Sequence, residues 1–313
     1  MTFRSISLAV AAFALALVAP SMARAQQQPA AGGLAVQIAP TVYVVSEGGA
    51  NLVLVADSAG TMVAGVQAPA LVAKARRALD ALHARPVRYA LVMDGPGAAR
   101  FGDGGWEAGG AVALAQEELR GRIRRASRDA STPLAAGVRV PSLGYSEVVQ
   151  VLMGHEEAHL VKQPSGFSGA DAAIHFEGAG FLYLNSFTMD GYPEIDVENG
   201  GTLAGAAQTS AAFATNFAEA PQVIEPIVPA RGRLATMRDL VEFRDMLVAM
   251  HDRVEQMVKD GKTVEQAVAA RPTASFDARW GGGPVTAERF VRAAYASILK
   301  EREAEAAEHA HSH

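Results

Sequence analysis

The apolar positions of this chain change period along its length. Residues 36–45, 51–56 and 61–66 are short apolar runs, broken by Gly48-Gly49 and by Asp57-Ser58-Ala59-Gly60. Apolar runs separated by glycine- and aspartate-rich breaks predict sequential antiparallel strands. Over residues 70–84 the spacing becomes helical, with Leu71, Ala75, Leu79 and Leu82 three or four positions apart, and Pro86 ends the element. Residues 87–93 then read as a buried strand. A loop at the carboxyl end of such a strand is where α/β proteins place their chemistry, which directs attention to residues 94–105.

The second half continues the alternation. Residues 112–125 read as a helix, or as a short strand followed by one. Strands are expected at 148–153 and 159–161 around a turn at Gly154, and at 172–176 and 180–184. Residues 203–217 form a weakly amphipathic helix pattern and 223–228 a strand. Over 236–259, Leu240, Phe243, Leu247, Met250, Val254 and Met257 share one helical face behind a Thr236 cap, and Gly261 stops the helix. Thr263 and Gln266 form a capping box for a short helix, and Pro284-Val285-Thr286 opens a last one through about Glu303. Strands followed by helices occur twice, which suggests two similar halves.

Composition narrows the setting. Residues 1–25 carry a basic Arg4, an apolar core too short for a membrane span and a small-x-small site at Ala23-Arg24-Ala25, the pattern of a secretory signal. Periplasmic or secreted localisation is the expectation, with no membrane span after cleavage. Residues 26–33 read as a flexible leader, 34–303 as the folded domain and 304–313 as a disordered tail containing His309, His311 and His313. Without Arg4 and Arg24 the chain has 26 basic and 33 acidic residues, a net charge of −7. That balance speaks against a nucleic-acid surface, which needs a basic face. The sequence has no cysteine, which excludes disulfides and thiolate metal sites.

Several motifs compete for a chemical role. His155-Glu156-Glu157-Ala158-His159 matches H-E-x-x-H, but that motif needs a helix to bring its histidines to one face, and its context here is strand, turn, strand. The histidines of the tail could hold a transition metal weakly. Gly102-Asp103-Gly104-Gly105 and Gly281-Gly282-Gly283 lack the strand-to-helix setting of a phosphate loop, and no G-x-S-x-G elbow is present. His83, His175 and His251 are scattered.

The run Thr41 to Gly60, the Pro86-Val87-Arg88-Tyr89 approach to the following loop, Asp239 to Leu247, Ala270-Arg271-Pro272-Thr273 and Phe276 to Gly281 together resemble a periplasmic branch of the metallo-β-lactamase-fold hydrolase superfamily, over roughly residues 34–300. The resemblance implies a four-layer αββα sandwich of the α/β (α+β) class. It also implies a two-metal site at one edge that hydrolyses substrate with a metal-bound hydroxide. Such a site needs imidazoles and carboxylates. Aligned on the family pattern, the first ligand position holds Asp94, the next Pro96, then Ala98, Ala99, Phe167, Ser186 for the bridging carboxylate, and Arg231 last; an early structural aspartate falls on Gly65. Only Asp94 among these is a good cation ligand. The expectation is therefore that the family zinc is lost and that no catalytic or metal residue remains. A vestigial pocket would be lined by Asp94, Arg100, Phe167, Ser186 and Arg231. On this reading the chain is a non-catalytic binding, scaffolding or regulatory protein that takes a small anionic ligand or a protein partner. The alternative is an ester, lactone or β-lactam hydrolase with a rebuilt site. Asp94 and Arg231 are further expected to pair across the old site as a replacement crosslink.

Overall fold

The computed structural model describes residues 27–216 and 225–311. The signal pattern at 1–25 and the start of the strand expected at 223–228 lie outside the described residues. The first half comprises β1 (Gln28–Ala30), β2 (Ala35–Ala39), β3 (Val42–Glu47), β4 (Ala50–Asp57), β5 (Gly60–Gly65), α1 (Pro69–Ala81), β6 (Val87–Val92), α2 (Ala98–Phe101), β7 (Val112–Gln116), α3 (Glu117–Ser127) and β8 (Leu143–Tyr145). The second comprises β9 (Val148–Met153), β10 (Glu156–Lys162), β11 (Ala172–Phe176), β12 (Phe181–Thr188), α4 (Leu203–Asn216), β13 (Ile227–Arg231), α5 (Met237–Lys259), α6 (Val264–Ala269), α7 (Asp277–Trp280) and α8 (Ala287–His311).

The strands join in the order β8-β7-β6-β5-β4-β13-β12-β11-β10-β9, with β3, β2 and β1 branching from β4. Strand alternation builds the layers, because successive side chains face opposite sides of a sheet. Val53 and Val55 of β4, Leu91 of β6, Ile174 of β11 and Tyr183 of β12 share one core between the two halves of the sheet. Leu52, Leu54, Ala90 and Val92, their neighbours in sequence, pack instead under α1 and α3 with Leu71, Leu119 and Ile123. Leu182, Leu184 and Ile227 pack under α5 and α8 with Leu240, Phe243, Leu247, Phe290 and Ile298. The result is the expected four-layer αββα sandwich. Among the described residues no helix is long and apolar enough to cross a membrane.

Three local expectations are corrected. The single run at 36–45 is a hairpin, β2 turning into β3 at Pro40-Thr41; Pro40 has no N–H for a ladder. The leader is not loose where it is described, since Gln28–Ala30 pairs antiparallel with residues 35–37. The tail continues the last helix through His311, as its Glu- and Ala-rich composition allows. The choice left open at 112–125 resolves as strand then helix. The H-E-x-x-H segment is a hairpin, with Gly154-His155 in the turn between β9 and β10.

Candidate functional site

β6 runs out of the sheet at Val92 and delivers Asp94, whose side chain is fully buried. Its carboxylate accepts from Gly95 N at 2.8 Å, which turns the chain into the loop leading to α2. That loop is held from below by the buried Asp103, which accepts from the main-chain N–H groups of Gly105, Glu107 and Arg139. The other Asp94 oxygen receives two close donors, the Arg122 guanidinium and the Ser168 hydroxyl. Arg122 comes from α3, where Leu119 and Ile123 are the buried positions. It lies beside that apolar stripe, so its stem packs while its head reaches the site.

Ser168 lies in the loop before β11, and Asp171 organises that loop. Asp171 is buried and accepts from Gly166 N at 2.7 Å, Phe167 N at 2.6 Å and Ser168 N at 3.3 Å. Its fourth donor is the Asn185 amide of β12, at 3.0 Å. The same amide lies 3.4 Å from the Asp94 carbonyl, and Asn185 Oδ1 accepts from Ala172 N at 3.0 Å. Burial pushes the Asp94 carboxyl up, while the charge of Arg122 and the hydrogen bonds from Ser168 and Arg122 pull it back in part. Burial, and then the neighbouring Asp94 charge, pushes the Asp171 carboxyl up to about 7 against the pull of its N–H donors. Two buried acids, one guanidinium, one hydroxyl and one amide thus close on themselves as a network.

The sequence-derived residues divide. Asp94 is at the centre and Phe167 is buried beside it, lining a groove of about 840 Å³. Arg100 lines the same groove but is tied to the Thr132 carbonyl at 2.6 Å and to Asp129 at 3.4 Å. Ser186 is not the β12 residue bonded into this network; its neighbour Asn185 is, a one-residue offset that matters because adjacent strand residues face opposite ways. The expected Asp94–Arg231 pair is not formed: Arg231 donates to the Gly48 carbonyl at 2.7 Å, and the partner of Asp94 is Arg122. Arg122, Asp171 and Asn185 were missed. The one signal for Arg122 is its place beside the Leu119/Ile123 stripe. Asp171 lies four residues after Phe167, the family ligand position, in the Phe167-Ser168-Gly169-Ala170-Asp171 run.

The groove opens above this network. Pro96 and Arg100, with Arg122 and Arg125 of α3, form one side, while Glu194, Asp196 and Glu198 stand among its other lining residues with Arg289 of α8. Ser168 has Asp94 and Arg122 as its side-chain partners rather than a histidine, so it lacks the base that activates a serine nucleophile. Among the described residues, a single group of three histidine or acidic side chains has donor atoms close enough together for one metal ion. It is Glu157, His159 and Glu177, on β10 and at the end of β11 rather than on the Asp94 loop.

No family model matches the sequence, and no curated protein matches it in sequence. Solved structures do match in shape. A double mutant of the sec-alkyl sulfatase PisA1 superposes with a TM-score of 0.64 at 13% identity, covering 85% of this chain and 50% of that one. The stereoselective inverting sec-alkylsulfatase Pisa1 from Pseudomonas sp. gives 0.60 at 14% identity, covering 83% and 49%. The chain thus spans about half the length of these alkylsulfatases. A metallo-β-lactamase from Pontibacter korlensis gives 0.51 at 11% identity, covering 68% of this chain and 98% of its own. The layered sandwich, its strand order and these superpositions agree: the chain has the metallo-β-lactamase fold.

Proposed function

We propose that this protein is a non-catalytic binding, scaffolding or regulatory member of its fold class, in which an ion pair stands where relatives hold two zinc ions. The observation that carries the reading is the Arg122 guanidinium seated on the buried Asp94 carboxylate. A guanidinium is a permanent cation with no lone pair to offer. It neutralises Asp94 and occupies the side from which a metal would bind. Pro96, Ala98, Ala99 and Phe167 supply no donor atoms. The residues at this site do not fit a dinuclear zinc centre, and no hydrolytic step through one follows from them.

What remains is a groove with Arg100 and Arg125 on one wall. Those two guanidinium groups support an anionic small molecule or an acidic protein segment as the occupant, with Glu194, Asp196 and Glu198 restricting how much negative charge it can carry. The signal pattern at 1–25 supports a periplasmic or secreted setting.

The test is Asp94→Asn in the full-length chain, with parent and variant assayed for bound metal and against sulfate esters, β-lactams, lactones and carboxylic esters. The expected result is metal content unchanged by Asp94→Asn and no turnover that depends on Asp94. A substrate hydrolysed by the parent and slowed by orders of magnitude in Asp94→Asn would instead establish a hydrolase with a rebuilt site.

A further inference from the structure

The H-E-x-x-H segment is no zincin helix, yet it delivers one of its histidines to a different cluster. β10 and β11 are antiparallel, with His159 directly opposite His175. Two residues before His159 is Glu157, and two residues after His175 is Glu177, whose N–H donates to the Glu157 carbonyl at 3.0 Å. Because side chains alternate along a strand, Glu157, His159, His175 and Glu177 fall on one face. Their neighbours Ala158, Leu160, Ile174 and Phe176 face the inter-sheet core. The register therefore lays a two-by-two array of two imidazoles and two carboxylates on the outer face of this hairpin. His159 and His175 meet edge to face, with ring centroids 6.0 Å apart.

Within the array, His159 Nε2 lies 3.0 Å from Glu157 Oε1 and 3.2 Å from Glu177 Oε2. The nitrogen is itself buried, and its two close carboxylate neighbours are ion-pair contacts rather than hydrogen bonds. A buried ring nitrogen between two carboxylate oxygens, all within 4.8 Å of one another, brings three ligand atoms within reach of one shared cation. The spacing suits a small ion. Ligand atoms about 2.0–2.2 Å from a tetrahedral zinc stand roughly 3.3–3.5 Å from one another. Two carboxylates also neutralise a divalent charge, and a water can complete the coordination of such a three-ligand site. The exposed Glu177 leaves a path for the ion from solvent.

We infer that Glu157, His159 and Glu177 bind one divalent cation of the zinc type on the outer face of the β10–β11 pair, separate from the Asp94 network. Its function would be to pin the start of β10, just after the Gly154-His155 turn, to the turn after β11. His155, the other histidine of the motif, takes no part; it is solvent-exposed in the hairpin turn near Asp57.

The experiment is a zinc titration of the full-length chain carrying alanine at His309, His311 and His313, so that the tail does not compete. Binding is read with a chromophoric chelator, and cobalt substitution reports the ligand geometry by its visible absorption. The expected result is one saturable site, weakened at least tenfold by His159→Ala and by Glu177→Gln, unaffected by His155→Ala or Asp94→Asn, and giving a four-coordinate cobalt spectrum. Circular dichroism of each variant shows that the fold is retained; Glu177→Gln, at an exposed position, keeps the test valid should His159→Ala unfold. No saturable site, or one indifferent to both His159→Ala and Glu177→Gln, overturns the assignment. A site abolished by Asp94→Asn would relocate the metal and overturn both this inference and the proposed function.

Discussion

The Asp94–Arg122 pair should be the most expensive polar contact in the protein to break from one side. Asp94 is fully buried while Arg122 is 12% exposed at the groove, so the two single substitutions are not equivalent. Arg122→Ala leaves a carboxylate in the interior beside Asp171. Removing one partner of a buried pair costs about 3–5 kcal/mol. Protonation sets a ceiling on that cost, because the stranded carboxylate can take up a proton. From its ordinary value of 3.8, this requires at most about 4 kcal/mol at pH 7 and under about 2 kcal/mol at pH 5, at 1.36 kcal/mol per unit. The expected loss for Arg122→Ala is thus about 2–4 kcal/mol at pH 7, falling below about 2 kcal/mol at pH 5. Asp94→Asn leaves Arg122 able to swing toward the groove and should cost less. Urea unfolding of parent and variants at both pH values measures this, with the m-value checked for constancy. A cost for Arg122→Ala below about 1 kcal/mol at pH 7, or one that does not shrink at pH 5, would refute the reasoning.

Arg231→Ala should change stability by less than about 1 kcal/mol, because among the described residues its guanidinium donates to the exposed Gly48 carbonyl alone; a loss as large as that of Arg122→Ala would restore the Asp94–Arg231 crosslink. Gly201→Ala should lower stability by about 1–3 kcal/mol, since a β-carbon there overlaps the Phe167 carbonyl and disturbs the loop that carries Ser168 and Asp171; thermal unfolding reads it. His251 of α5 lies 3.6 Å from Glu301 of α8, which holds the imidazole above its usual value. A raised folded value means that the added stability is complete below the unfolded value near 6.5 and is lost as the pH rises through the folded one. His251→Gln should therefore remove up to about 1 kcal/mol at pH 5.5 and little at pH 8.5, as denaturant melts at the two pH values will show.

The sequence by itself determined the elements. The helical face from Leu240 to Val254 and its Thr236 cap, the Thr263/Gln266 capping box and the strand pairs around Gly154 and Gly180 are where the pattern places them, because periodicity and capping are energies among residues a few positions apart. The layered fold was legible through the family resemblance carried by residues 41–60, 86–89 and 239–247, whose short runs are the opening strands, the approach to the site and the long helix of that fold. The absence of histidine from 87–110 and the identity of Asp94 were equally plain. Tertiary structure alone decided what Asp94 touches. Arg122 lies 28 residues away, and only the packing of α3 over β7 turns it inward. It also decided that Asn185 rather than Ser186 enters the network, and that Glu157, His159 and Glu177 meet. Strand register settles both, and a slip of one residue reverses every side chain on the strand. Contacts closed over long stretches of chain leave no local period to read; they exist once the core has fixed which strand lies beside which.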